Sequence, residues 1–200
     1  MEILTNSISG NKKQFSRKIY TFKTLISDVK DLLSNAKNFA TAKKKKLISK
    51  SFREKIMLVT TAVNGCVYCA WYHAILSVNA GINSDEINKL LKLQFNTDAN
   101  NYETLALLYA QHYAETNRKP EKEMTQKLFS FYGNEVAEAI ILYIKAIYFG
   151  NLSGNTFDAF LYRLKGIKAP GSNILFEFVF FILSAPILLP TLPKVKKYRK

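Results

Sequence analysis

Little in this sequence can cross-link, break or flatten a chain. Two cysteines in 200 residues cannot build the disulfide framework of a small secreted domain. Eight glycines and five prolines are too few for a loop-stapled or long all-β architecture, and no stretch of the body alternates convincingly with period two. Residues 1–50 are polar and basic and hold no apolar signal segment, from which a cytoplasmic, reducing environment is expected. There the two thiols are expected to do something other than structural cross-linking. What is plentiful is apolar and helix-forming. Hydrophobic residues make up 48% and aromatics 13%, enough for the core of about one domain at this length and incompatible with a disordered or fibrous chain.

Acidic residues are scarce only at the ends. The net charge of +14 divides into 12 basic and 3 acidic residues over 1–50, a balanced body over 51–193, and five basic and no acidic residues over 194–200. Basic ends of this kind serve as solvated arms or meet an anionic membrane surface. No RNP, zinc-finger or helix-turn-helix pattern accompanies them, so nucleic acid is not an expected partner.

The periodicity is helical throughout. Phe22, Leu25, Ile26, Val29, Leu32 and Leu33 recur at three- and four-residue spacing after a loose leader at 6–14, and Lys43 to Lys46 mark a boundary. We therefore expect a basic N-terminal helical arm (1–50), a core domain (51–168) and an apolar segment with a basic tail (169–200). In the core, Ile56, Val59, Thr60 and Val63 share a face that ends at Asn64-Gly65, and a second helix begins at or just before Cys66 and stops near Gly81. Ser84 is the expected N-cap of the next helix. Further helices are expected over 102–116, 125–132, 134–149 and 151–165. The break near Gly150-Asn151 would make 136–164 a faint echo of the hairpin at 54–80.

The chemistry concentrates between Glu54 and His73. Cys66 and Cys69 stand three apart, which at a helix start puts both sulfurs on one face within reach of a disulfide. His73 follows Cys69 by one turn and can take its proton directly or through one water, while free N–H groups at the helix start favour a thiolate. Glu54 precedes the Asn64 turn by roughly 15 Å of helix and His73 follows it by roughly 13 Å, so an antiparallel hairpin brings the two level. Glu54 can then orient His73 and fix its tautomer. Haem attachment needs a histidine directly after the second cysteine, where Ala70 stands. Structural zinc needs four ligands, and only Cys66, Cys69 and His73 are local. No metal or cofactor is therefore expected. Tyr68, Trp71, Tyr72 and His112 are candidate pocket residues, with His112 more simply a satisfied, partly buried side chain.

Glu54, Asn64-Gly65 and the run Cys66-x-Tyr68-Cys69-x-x-x-His73 together resemble the signature of the AhpD-like alkylhydroperoxidase branch of the carboxymuconolactone decarboxylase family. The similarity extends over 52–166, including the 139–158 stretch with its Gly-Asn pair. The resemblance implies an all-α helical bundle with the CxxC at the start of a helix in a helical hairpin, and a homo-oligomer. It also implies Cys69 as the peroxide-attacking thiol, Cys66 as the resolving thiol, and His73 with Glu54 as the proton relay. The implied partners are a hydroperoxide or disulfide substrate and a dithiol protein or small thiol as reductant. Tyr68 stands where some family peroxidases carry a histidine; a phenol is a poor base at neutral pH, so Tyr68 is expected to pack or hydrogen-bond. True decarboxylases of the family lack the cysteine pair, which points to the redox branch. The rival readings are a lyase acting on a lactone-type substrate through Glu54 and His73, and a membrane- or nucleic-acid-associated redox sensor.

Residues 174–192 are almost wholly apolar and precede the basic tail. Their length approaches a bilayer span, yet Glu177, Pro186 and Pro190 interrupt them. We expect a helix packed into a subunit interface or apolar pocket, ahead of a membrane-surface contact or a span.

Overall fold

The computed structural model describes residues 14–96 and 101–195. Eight α-helices occupy them: α1 (Phe22–Ser34), α2 (Ala36–Lys45), α3 (Lys50–Asn64), α4 (Val67–Asn79), α5 (Ser84–Leu91), α6 (Thr104–Glu115), α7 (Lys122–Arg163) and α8 (Ile174–Leu188). A 3₁₀ turn, Leu189–Thr191, extends α8, and the described residues contain no strand. The fold is all-α, as expected.

Local chemistry sets the ends of the helices that carry the site. The Ser49 side chain accepts the Phe52 N–H at 3.1 Å and starts α3. Gly65, at φ 68°, ends it in the left-handed region that glycine enters without a Cβ clash. The chain turns at once into α4, whose N-cap is Cys66. α3 is the central element. Ile56, Leu58 and Val59 are fully buried on it and join one core with Ile87 and Leu90 of α5, Ala106 and Ala110 of α6, and Ile140 and Ile144 of α7. Each buried Leu, Ile or Val of this set contributes about 1.5–3 kcal/mol, so α3 and the residues it positions are held firmly.

Three expectations about elements need correction. α5 is capped by Asn83, whose side chain accepts the Glu86 N–H at 2.8 Å, and Ser84 is its first helical residue. The chain does not break at Gly150-Asn151. Asn151 is buried and its carbonyl oxygen accepts the Thr61 hydroxyl at 3.0 Å, which anchors an unbroken helix to α3. The interruption of α7 lies at Gly133, at φ 73°, between the two helices expected on either side of it. Without a turn at 150–151, 136–164 does not repeat the 54–80 hairpin. An additional helix, α2, ends in Lys43 to Lys45 at the expected boundary, and Lys46 closes it in the left-handed conformation.

The described part of the N-terminal stretch packs into the body. Phe15 and Tyr20 are buried, and the Tyr20 N–H donates to Thr156 of α7 at 2.9 Å. The Tyr20 hydroxyl donates to Asp28 at 2.7 Å, and the Lys18 amine donates to the carbonyl of Ala114. Of the leader expected at 6–14, residues 6–13 lie outside the described residues, as do residues 196–200 of the basic tail.

α8 packs along α7 with an inverted pattern. Phe181 stacks on Phe157 at 4.9 Å between centroids, while Glu177 is the buried residue of the helix. Its carboxylate takes two hydrogen bonds from Arg163, at 2.6 and 3.1 Å. Beyond the 3₁₀ turn, Val195 is buried in the cluster that contains Cys66, Tyr68 and Phe157.

Candidate active site

The α3–α4 hairpin brings the sequence-predicted relay together. His73 Nδ1 lies 2.7 Å from Glu54 Oε2, the pairing that the residue count on either side of the Asn64 turn anticipates. Arg53 Nη2 and Nε hold the other Glu54 oxygen at 2.8 and 3.0 Å. Burial alone would raise the Glu54 carboxyl, but the hydrogen bonds from His73 and Arg53 outweigh it and hold the group below its ordinary range. Glu54 is thus an ionised carboxylate with 1% of its surface exposed.

The two cysteines are free thiols with their sulfurs 2.8 Å apart. Cys66 Sγ caps α4 by accepting the Cys69 N–H at 3.3 Å. The free N–H at the helix start therefore points at Cys66, whereas the sequence suggested that such groups stabilise the thiolate left when Cys69 gives up its proton. The two sulfurs are in direct hydrogen-bond contact, and they share their protons at close range. This contact, with burial beside it, pushes the Cys69 thiol well above the ordinary thiol range, so the expectation of a thiol tuned downward is corrected. A second negative sulfur beside the first is unfavourable, and the pair holds its last proton tightly.

Two glycines of α7 make room for the sulfurs. A Cβ at Gly154 would sit 2.7 Å from Cys66 Sγ and 3.1 Å from the Tyr68 ring. At Gly150 it would lie 3.8 Å from Cys69 Sγ. The Gly150-Asn151 pair that reads as a turn in the sequence instead permits close approach and anchorage.

Cys69 and His73 line one cavity of about 670 Å³, walled on the α8 side by Phe180, Leu183 and Leu188. Tyr68, Trp71 and Tyr72 also line it. The Tyr68 ring packs edge-on against Phe157 and its hydroxyl donates to Asp158 at 2.5 Å, so it both packs and hydrogen-bonds as expected. Lys194 places its ammonium 5.4 Å from the Trp71 ring centroid. His112 is elsewhere. Its Nε2 accepts the Glu121 N–H at 3.1 Å, which matches its reading as a satisfied side chain and removes it from the pocket residues. Among the described residues no group of three or more His, Cys, Asp or Glu is arranged to hold a metal ion.

Sequence reasoning missed two contributors. Asp158, fully buried, binds both Tyr68 and Arg17, the latter at 2.9 Å, and so ties the N-terminal stretch to the residue between the cysteines. Ser153 lines the cavity, and its buried hydroxyl lacks a hydrogen-bond partner. Neither carries a local motif. The signal for Asp158 is a carboxylate among apolar neighbours on a helix that otherwise reads as core.

Once this geometry is set beside known proteins, one comparison is positive. Residues 29–112 match the model of the carboxymuconolactone decarboxylase family. No curated protein and no solved structure matches the chain. The family segment contains Glu54, Cys66, Cys69 and His73, and it begins inside the stretch expected as a basic arm. It ends at His112, before α7. Gly150, Gly154 and Asp158, which pack against the cysteine motif from α7, therefore lie outside the matched segment.

Proposed function

We propose that the protein is a thiol-dependent peroxidase or disulfide oxidoreductase of the AhpD-like kind. The observation that carries the reading is the pair of free sulfurs 2.8 Å apart, with Cys69 sharing a cavity with a histidine already oriented by a buried carboxylate. His73 takes the Cys69 proton through its free nitrogen, since Nδ1 donates to Glu54. The Cys69 thiolate attacks the outer oxygen of a hydroperoxide. The O–O bond breaks, Cys69 becomes a sulfenic acid, and the departing alkoxide leaves as an alcohol with the proton from His73. The Cys66 thiol then displaces hydroxide from the sulfenic sulfur, giving water and a Cys66–Cys69 disulfide. A dithiol donor returns both thiols by exchange. Ser153 supplies a hydroxyl donor for an oxygen atom of the substrate.

The test is turnover of tert-butyl hydroperoxide with dithiothreitol as donor. Cys69→Ser is expected to abolish it, and His73→Ala to slow it by about 100-fold, the scale of a lost general acid–base group. Equal consumption by wild type and both cysteine variants would overturn the reading.

The raised Cys69 thiol favours one second reading. A site whose Cys69 thiol is pushed up in this way suits a lyase working through Glu54 and His73 on a lactone-type substrate. Such an enzyme would retain full turnover of that substrate in a Cys66→Ser/Cys69→Ser variant and lose it in Glu54→Gln.

A further inference from the structure

The thiol chemistry leaves the surface of α8 unexplained. Soluble helices bury their apolar side chains and expose their charges. α8 does the reverse. Glu177, the charged residue of 174–192, is turned inward onto Arg163. Leu175, Val179 and Ile182 recur along one outer stripe, and Leu183 and Ile187 beside them are each 74% exposed. A contiguous apolar patch of this kind marks a docking surface.

Charge identifies the occupant. The patch itself presents no charged side chain, and it leads directly into residues 194–200, with five basic and no acidic groups. The first of these, Lys194, stands over Trp71 at the cavity wall. An apolar helix face flanked by a polybasic segment complements an anionic lipid surface, in which apolar side chains enter the acyl region and lysines meet the headgroups. A second copy of this chain fits less well, because pairing would bring together two proteins that each carry +14. The helix and its 3₁₀ extension, Ile174–Thr191, are long and apolar enough to cross a membrane by length and composition. The Arg163–Glu177 pair and the Phe157–Phe181 stack, however, hold the helix against α7, which favours a helix lying on a surface over one crossing the bilayer.

We propose that α8 and the basic tail dock the protein on an anionic membrane surface, and that the thiol cavity draws its substrate, an acyl-chain hydroperoxide, from that surface. Leu183 and Ile187 join the two functions, since they belong both to the exposed face of α8 and to the wall of the Cys69 cavity. The docking half stands on the surface alone. The substrate half rests on the peroxidase reading, and its reaction is the one already written: the acyl hydroperoxide becomes an acyl alcohol and water as the two thiols become a disulfide.

The experiment sediments the full chain with vesicles of phosphatidylcholine containing 30 mol% phosphatidylserine, against pure phosphatidylcholine, with Leu175→Glu/Ile182→Glu as the variant. Both substituted residues are exposed and neither lines the thiol cavity, so circular dichroism and tert-butyl hydroperoxide turnover should match wild type. Wild type is expected to bind the anionic vesicles at least tenfold more tightly than the neutral ones, to release at high salt, and to lose at least tenfold in the double variant. Absence of vesicle binding, or binding unchanged by the variant, overturns the proposal, as does an α8-dependent dimer in sedimentation velocity with no affinity for vesicles. Association that survives alkaline carbonate contradicts surface docking in favour of a span. For substrate, wild type should reduce vesicle-borne phosphatidylcholine hydroperoxide at least ten times faster than the variant. Equal rates overturn the substrate half. Vesicle binding without turnover of either hydroperoxide upholds docking and refutes the peroxidase reading instead.

Discussion

Glu54 is buried yet ionised, and that combination decides what His73 can do. A carboxylate at Nδ1 requires that nitrogen to carry the ring proton, which leaves Nε2 as the acceptor on the other side of the ring. The carboxyl is held below its ordinary range in the fold. Its pairing therefore contributes stability that is fully present above the unfolded carboxyl pKa of about 4.3 and is lost as pH falls through the lower folded value. Acid unfolding followed by circular dichroism should show this loss in wild type, and Glu54→Gln should flatten it. Cys69 behaves in the opposite sense. Its thiol is raised by the Cys66 hydrogen bond and by burial, so its thiolate is scarcer at neutral pH than that of a free cysteine. Alkylation of Cys69 by iodoacetamide should be slow at pH 7 and should still climb above pH 9, past the ordinary thiol range of about 8.5. A rate that levels off below pH 7 would show that the thiol is lowered after all. Cys66, Cys69, His73 and Glu54 were all legible from spacing alone, because helical geometry fixes which residues share a face. The direction of the thiol shift was not. It is set by the contact with the Cys66 sulfur and by burial, neither of which residue spacing reveals.

At the scale of elements, the site is a contact between one hairpin and one long helix. The α3–α4 hairpin could be read from the sequence because Asn64-Gly65 is a strong local stop. The course of α7 could not. Gly150-Asn151 carries the same local signal as Asn64-Gly65, but tertiary contact decides the outcome: Asn151 is anchored by Thr61, and Gly150 faces Cys69. Gly154 shows the same principle more sharply. Gly154→Ala would drive a methyl group to 2.7 Å from Cys66 Sγ, and the overpacking should cost about 1–3 kcal/mol in urea unfolding while displacing Cys66 from Cys69. The Gly150→Ala control, at an ordinary 3.8 Å, should be neutral or slightly stabilising, since alanine favours the helix interior. Equal effects at the two positions would mean that the α7 contact does not position the cysteines. α8 was legible as an apolar helix, but its orientation was hidden. The inward turn of Glu177 depends on Arg163, which lies on a different helix.

For the molecule as a whole, charge and covalent order do not coincide with packing. The sequence divides into a basic arm, a neutral body and an apolar, basic tail, yet in the described residues the outer parts bear directly on the site. Arg17 pairs with Asp158, which holds Tyr68 between the cysteines. Val195 packs into the Cys66 cluster, and α8 walls the cavity. Long-range contacts of this kind leave no periodic trace, so composition suggested separable arms where the fold builds a site from both ends of the chain. The central claim is that this assembled site oxidises its own cysteine pair on meeting a hydroperoxide. The most direct test is mass spectrometry of the reduced full chain, trapped before and after one equivalent of tert-butyl hydroperoxide. The account predicts rapid loss of the mass of two hydrogen atoms, mapped to a Cys66–Cys69 disulfide and slowed by His73→Ala. Two thiols that stay free and unmodified after peroxide would contradict it.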